Sequence, residues 1–230
     1  MAHTDDAHEP DPGAVLTALT TEHFTLQGAR SQTVSESSAR SSLYIGALSS
    51  VLIALGFIGQ FDGAGDTFNL FALTALPTLF VLGVFTFVRL VQNSVEDTIY
   101  GRAINRIRHR YLELAGSDRR YFLLSGHDDE AGVRENMGLG TSHAQPFFTA
   151  AAMVAVVNSV VGGAVLALLV GVVIDGPLWA AAAVGGLLAL ASIAVHYRYQ
   201  GQRFVEIDDR LDSIFPSPAA VGKTGGGERT

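Results

Sequence analysis

The sequence predicts an all-α polytopic membrane protein, with four transmembrane helices laid out as two hairpins and cytoplasmic helical extensions. Three observations carry this. Only 16% of the 230 residues are charged, against about 25% in an average soluble domain. The 22 acids and 15 bases leave four long tracts without charge. The bases all fall on one side of those tracts.

The elements follow in order. Residues 1–13 are polar and Pro-containing and read as a disordered tail. Residues 14–40 read as a cytoplasmic juxtamembrane helix, with Leu16, Leu19 and Leu26 as a thin apolar edge. Residues 41–91 form the first hairpin. Its tracts hold 21 uncharged residues between Arg40 and Asp62 and 22 between Asp66 and Arg89. Residues 92–146 are a cytoplasmic linker. Val95, Ile99, Ala103, Ile107, Tyr111 and Leu114 recur there at helical spacing, so span 2 should continue to about Ala115, before Gly116. Residues 147–197 form the second hairpin, from tracts Phe147–Ile174 and Gly176–Tyr197. A helix needs roughly 20 apolar residues to cross a ~30 Å hydrocarbon core, and all four tracts meet that length. In lipid the backbone must bond within its own segment, which selects helices. Residues 198–215 read as a cytoplasmic amphipathic helix stopping before Pro216, with Phe204, Ile207, Leu211 and Ile214 at intervals of three and four. Residues 216–230 read as a disordered tail.

Orientation comes from the bases. Two precede span 1 (Arg30, Arg40), eight lie between Arg89 and Pro146, and five follow Tyr197. The outer turns carry acids instead (Asp62, Asp66, Asp175). The reading places both termini and the central linker in the cytoplasm. The linker and C-terminal extensions leave the membrane in the same direction, which predicts a parallel stalk with Arg102 and Arg106 near the heights of Asp208, Asp209 and Asp212.

Several constellations bear on chemistry. Asn158 and Ser159 lie mid-span in the third helix. Ser159 belongs to a small-residue run (Ala151, Ala155, Ser159, Gly163, Ala167, Gly171), and Ala181, Gly185 and Ala189 match it in span 4. Such stripes let helices approach closely, so Asn158, Ser159, Gly162 and Gly163 are packing or pathway candidates. Pro77 removes one backbone hydrogen bond and kinks span 2, with Thr74 and Thr78 placed to satisfy freed carbonyls. Arg102, Arg106, Arg108 and Arg110 are candidate contacts for an anionic ligand or lipid headgroup; the plainer reading is topology plus pairing with acids. His127, Asp128, Asp129 and Glu130 resemble a cation site, but adjacent ligands do not converge. A short helix to Asn136 with acids at its start explains them better.

Lys223 is not part of a phosphate-binding loop, because position 217 is Ser where that motif needs Gly. There is no cysteine, hence no thiolate site. The net charge of −7 argues against nucleic acid. No catalytic pattern or cofactor motif is present, so the chain reads as a non-enzyme without cofactor. Its expected partners are membrane lipids, further copies in a homo-oligomer, and a cytoplasmic protein or anionic ligand. The favoured function is a membrane-anchored effector or scaffold; the alternative is an oligomeric channel or small-solute transporter.

EHFTLQGARSQTVSESSARSSLYIGALSS and IYGRAINRIRHRYLEL, with YFLLSGHDDEAGV after them, resemble an uncharacterised group of four-span integral membrane proteins of GC-rich actinobacteria. The likeness covers most of residues 20–165. It implies a bacterial plasma-membrane protein and supplies no activity and no functional residues.

Overall fold

Helix α1 (Pro12–Ile58) starts on a conventional cap: Asp11 Oδ1 accepts from the Gly13 N–H at 3.1 Å, and Pro12 occupies the first helical position. A computed structural model describes residues 11–139, 149–172, 174 and 176–218. α1 runs unbroken for 47 residues, so the expected juxtamembrane helix and the first apolar tract belong to one helix. Residues 59–64 turn the chain, with Gly63 at φ 79°, into α2 (Gly65–Ala115). α2 ends at Gly116, whose φ of 51° suits a residue without Cβ. A 3-10 segment (Gly116–Tyr121) and a short helix α3 (Glu130–Asn136) follow, then α4 (Ala150–Val172) and α5 (Leu178–Arg210). No strand occurs among the described residues.

Four of these helices are long and apolar enough to cross a membrane. Their outward faces carry large exposed apolar side chains such as Phe57, Phe85, Leu187 and Val195. Hydrocarbon accommodates such faces and water does not.

Two expected boundaries shift. The fourth span begins its polar extension as foreseen but stops at Arg210. Leu211 is extended (φ −111°, ψ 98°), and residues 211–215 are not helical. Their backbone donors bond elsewhere, as shown below. The expected tail at 216–230 is likewise corrected at its start, because Ser217 is buried; residues 219–230 lie outside the described residues. The third span begins at Ala150, and Phe147 and Phe148 lie outside the described residues, as do 1–10 of the expected N-terminal tail.

The chain divides into two compact units. The apolar unit comprises residues 33–97 and 139–212. One of its cores gathers Tyr44, Phe87, Leu90, Val91, Ala151, Val154 and Ala155; another gathers Leu55, Ala72, Leu76, Leu79 and Val161. The paired small-residue stripes meet as expected. A Cβ on Gly163 would lie 2.5 Å from the Gly185 carbonyl oxygen, and one on Gly185 equally close to that of Gly163. Ser159 Oγ donates to Ser192 Oγ across the same seam at 2.9 Å. The polar unit comprises residues 1–32, 98–138 and 213–230. It carries the candidate site.

Candidate functional site

The polar unit is built on the last turns of α2. The buried face there is Gly101, Arg102, Ile104, Asn105 and Ile107. Of the expected apolar seam, Ile107 is buried while Leu114 is exposed. Two glycines set the packing distance. A Cβ on Gly126 would lie 2.9 Å from the His109 Cα, and one on Gly101 would lie 2.9 Å from a Val133 methyl. The 122–129 loop and α3 therefore lie directly on α2. Asn105 holds the loop, donating to the His127 carbonyl at 2.8 Å. Asn136 donates to Asn105 Oδ1 and to the Ser125 carbonyl, and accepts from the Ser125 N–H.

The His127–Glu130 run is where the site is made. Asp129 caps α3, accepting from the Gly132 N–H at 2.8 Å, as the sequence implied. Its other carboxylate oxygen accepts from the Ser217 N–H at 2.9 Å and the Ser217 hydroxyl at 2.6 Å. Asp128, fully buried, accepts from the Phe215 N–H at 2.7 Å and from the Ile214 N–H at 3.1 Å. Arg106 Nε pairs with it at 2.7 Å. The Asp128 N–H donates to the Phe215 carbonyl at 3.2 Å. Arg102, 4% exposed, donates to the Asp128 carbonyl at 2.9 Å and to Ser213 Oγ at 3.0 Å. The Phe215 ring stacks on His109, centroids 3.6 Å apart and planes 10° apart.

Electrostatics follow from this geometry. Burial works against ionising Asp128, but the Phe215 and Ile214 N–H groups and Arg106 outweigh it and hold the carboxyl below its ordinary range. Burial opposes Asp129 in the same way, and Ser217 and Gly132 overcome it. Both are anions gripping a length of main chain. Their oxygens are occupied by N–H and O–H donors.

The four predicted arginines do not present one surface. Arg102 and Arg106 serve the Asp128 loop. Arg108 donates to Asn105 Oδ1 at 2.7 Å, and Arg110 pairs with Glu113 at 2.8 Å. A cleft of about 320 Å³ opens beside the stack, lined by His109, Glu113, Arg119, Phe122 and His127 among others. Next to it Tyr121 and Leu123 are strongly exposed.

The intramembrane candidates lie in the apolar unit. Asn158 is fully buried and accepts from the Tyr44 hydroxyl at 3.2 Å, while its Nδ2 has no partner among the described residues. It fills the space over Gly83, where a Cβ would fall 2.0 Å from its Oδ1. Gly162 faces the Phe80 ring, 2.6 Å from a Cβ placed there. Pro77 is half-buried within a continuous α2. The Thr74 and Thr78 hydroxyls donate to the carbonyls of Leu70, Phe71 and Thr74 rather than to that of Leu73, which Pro77 frees. That expectation is corrected. At the end of the second tract Glu36 accepts two 2.9 Å bonds from Arg89 and one of 2.7 Å from Arg40.

Ser213, Phe215 and Ser217 escaped the sequence reading, which placed Ile214 on an apolar seam. Ile214 is 59% exposed and its neighbour Phe215 faces inward. The usable signal was the alternation Ser-x-Phe-x-Ser ahead of a proline.

Comparison with family models, with curated proteins and with solved structures returns no match to this chain.

Proposed function

We propose that the chain is a non-enzymatic membrane-anchored effector or scaffold of a bacterial plasma membrane. In this reading the helices form two hairpins, both termini and the polar unit are cytoplasmic, and the polar unit recruits a partner. The observation that carries it is the polar unit itself. Three separated stretches of sequence form one body, and the Asp128–Asp129 grip ties two of them together. Beside it an apolar run, Tyr121 to Leu124, stands exposed. No Asp, Glu, Lys or Arg lies within the four charge-free tracts, and their one titratable imidazole, His196, sits at the end of the fourth.

The test is recruitment in native membrane discs. A stoichiometric companion should accompany the wild-type chain and be lost from Leu123→Asp, with the chain still inserted. Absence of any stoichiometric companion from the wild type overturns the reading.

The channel or carrier reading keeps one observation, the orphaned amide of Asn158 inside the apolar unit. It requires a solute flux through reconstituted vesicles that Asn158→Leu abolishes; unchanged flux in that variant removes it.

A further inference from the structure

Residues 213–218 run along the groove between α2 and the 126–129 loop with alternating exposure. Ser213 and Phe215 are half-buried and Ser217 is buried, while Ile214, Pro216 and Pro218 are exposed. The groove reads the segment through its main chain. Three N–H groups, of residues 214, 215 and 217, go to carboxylate oxygens, and the Phe215 carbonyl takes the Asp128 N–H. Side chains at alternate positions add the selective contacts: Ser213 to Arg102, Phe215 to His109, Ser217 to Asp129. Main-chain bonds for affinity with side-chain contacts for specificity is a general way of recognising a short peptide. The chain bends at Ile214 and Phe215, so that their successive N–H groups reach one carboxylate, and Pro216, which has no N–H, occupies the position the groove leaves unused.

We propose that this groove is a binding site for a short peptide of the pattern Ser-x-Phe-x-Ser, occupied here by the chain's own segment, and that it takes the same pattern in trans from a partner protein. Every contact named lies between residues 102–129 and atoms of residues 213–217. The Leu211–Asp212 link adds effective concentration, on the order of millimolar for a short tether. The segment is thus an internal competitor that keeps the groove closed to weak ligands. The proposal deepens the recruitment reading and rests on it for the existence of a partner. Peptide uptake by the purified chain is measured without that partner, so the two fail separately.

The experiment uses the full chain in lipid nanodiscs and a fluorescent peptide copying residues 211–218. Weakening the internal occupant by Phe215→Ala with Ser217→Ala should raise peptide affinity at least tenfold over wild type. Adding Asp129→Ala, or replacing the peptide's phenylalanine by alanine, should abolish uptake. Uptake no stronger than wild type, in a variant with unchanged helicity and melting, overturns the proposal. If that variant does not fold, the wild-type chain decides: excess peptide should speed amide exchange at Phe215 and Ser217, and unchanged exchange overturns it. Dimers that vanish with Phe215→Ala, together with no peptide uptake, assign the groove to a second copy of the chain and overturn the partner reading.

Discussion

Asp128 and Asp129 are neighbours in sequence, and each grips a different part of the same segment. Asp128 takes the N–H groups of residues 214 and 215, and Asp129 takes Ser217 while capping α3. Asp129→Ala removes a cap and strands two donors of Ser217. We expect local opening of residues 213–217 to become easier by about 2–4 kcal/mol, from the usual cost of a lost cap and of stranded donors. Amide exchange at Ser217 reads it directly. Both carboxyls titrate below their ordinary 3.8 when folded. A depressed folded value means that the stabilisation is whole above about pH 4 and drains as pH falls through the folded values. Exchange at Phe215 measured between pH 6 and pH 3 should accelerate, after correction for the intrinsic rate, only in the acid part of that range. Glu36 behaves similarly: bonds from Arg89 and then Arg40 bring it down to about 2, so that ion pair should persist until the pH approaches that value. The adjacent acids were legible as a helix start because that role is local. Their second role was not, because the groups they bind lie 86 to 88 residues away.

At the scale of elements, the contact between α4 and α5 depends on two glycines facing each other's backbone. A methyl group at Gly185 has a carbonyl oxygen 2.5 Å away that cannot swing aside. Gly185→Ala should therefore cost about 1–3 kcal/mol, the usual range for overpacking, seen as lower thermal stability in detergent. Gly186→Ala, whose Cβ meets nothing within 4 Å, is the control. Gly83 tests a different seam. Its obstacle is the Asn158 side chain, so Gly83→Ala and Asn158→Ala should couple, the double variant losing less than the sum of the singles. The helices were legible from charge-free length, and the α4–α5 seam from the i+4 repeat of small residues. Both are periodic properties of one stretch of chain. The end of α5 was misplaced because Phe204, Ile207, Leu211 and Ile214 keep helical spacing past Arg210. Spacing ranks below six hydrogen bonds made by residues 213–217 to distant groups.

For the whole molecule, sidedness is the open quantity, and the chain suits its measurement because it has no native cysteine. Single substitutions Asp62→Cys and Ser117→Cys, both at exposed positions, report on a turn of the apolar unit and on the polar unit. In intact cells an impermeant maleimide should label position 62 alone, and position 117 should react only after permeabilisation. The reverse pattern inverts the topology and moves the proposed recruiting surface outside the cell. The distribution of arginines made the sidedness legible as an expectation, since retention of bases on one side acts during insertion and needs no folded structure.

The reach of the Asp128–Asp129 grip also sets an order of events during synthesis. The two acids follow α2, but the groups that neutralise their demand for donors come after both α4 and α5 in the chain. Closing a loop of that length carries an entropic cost that local helix formation does not. The polar unit therefore finishes last, once the final two helices have been made. Until then the buried-to-be carboxylates stand hydrated and the Phe215 site is vacant. A nascent chain is in this sense born receptive and becomes self-closed, so closure of the groove marks a correctly threaded molecule.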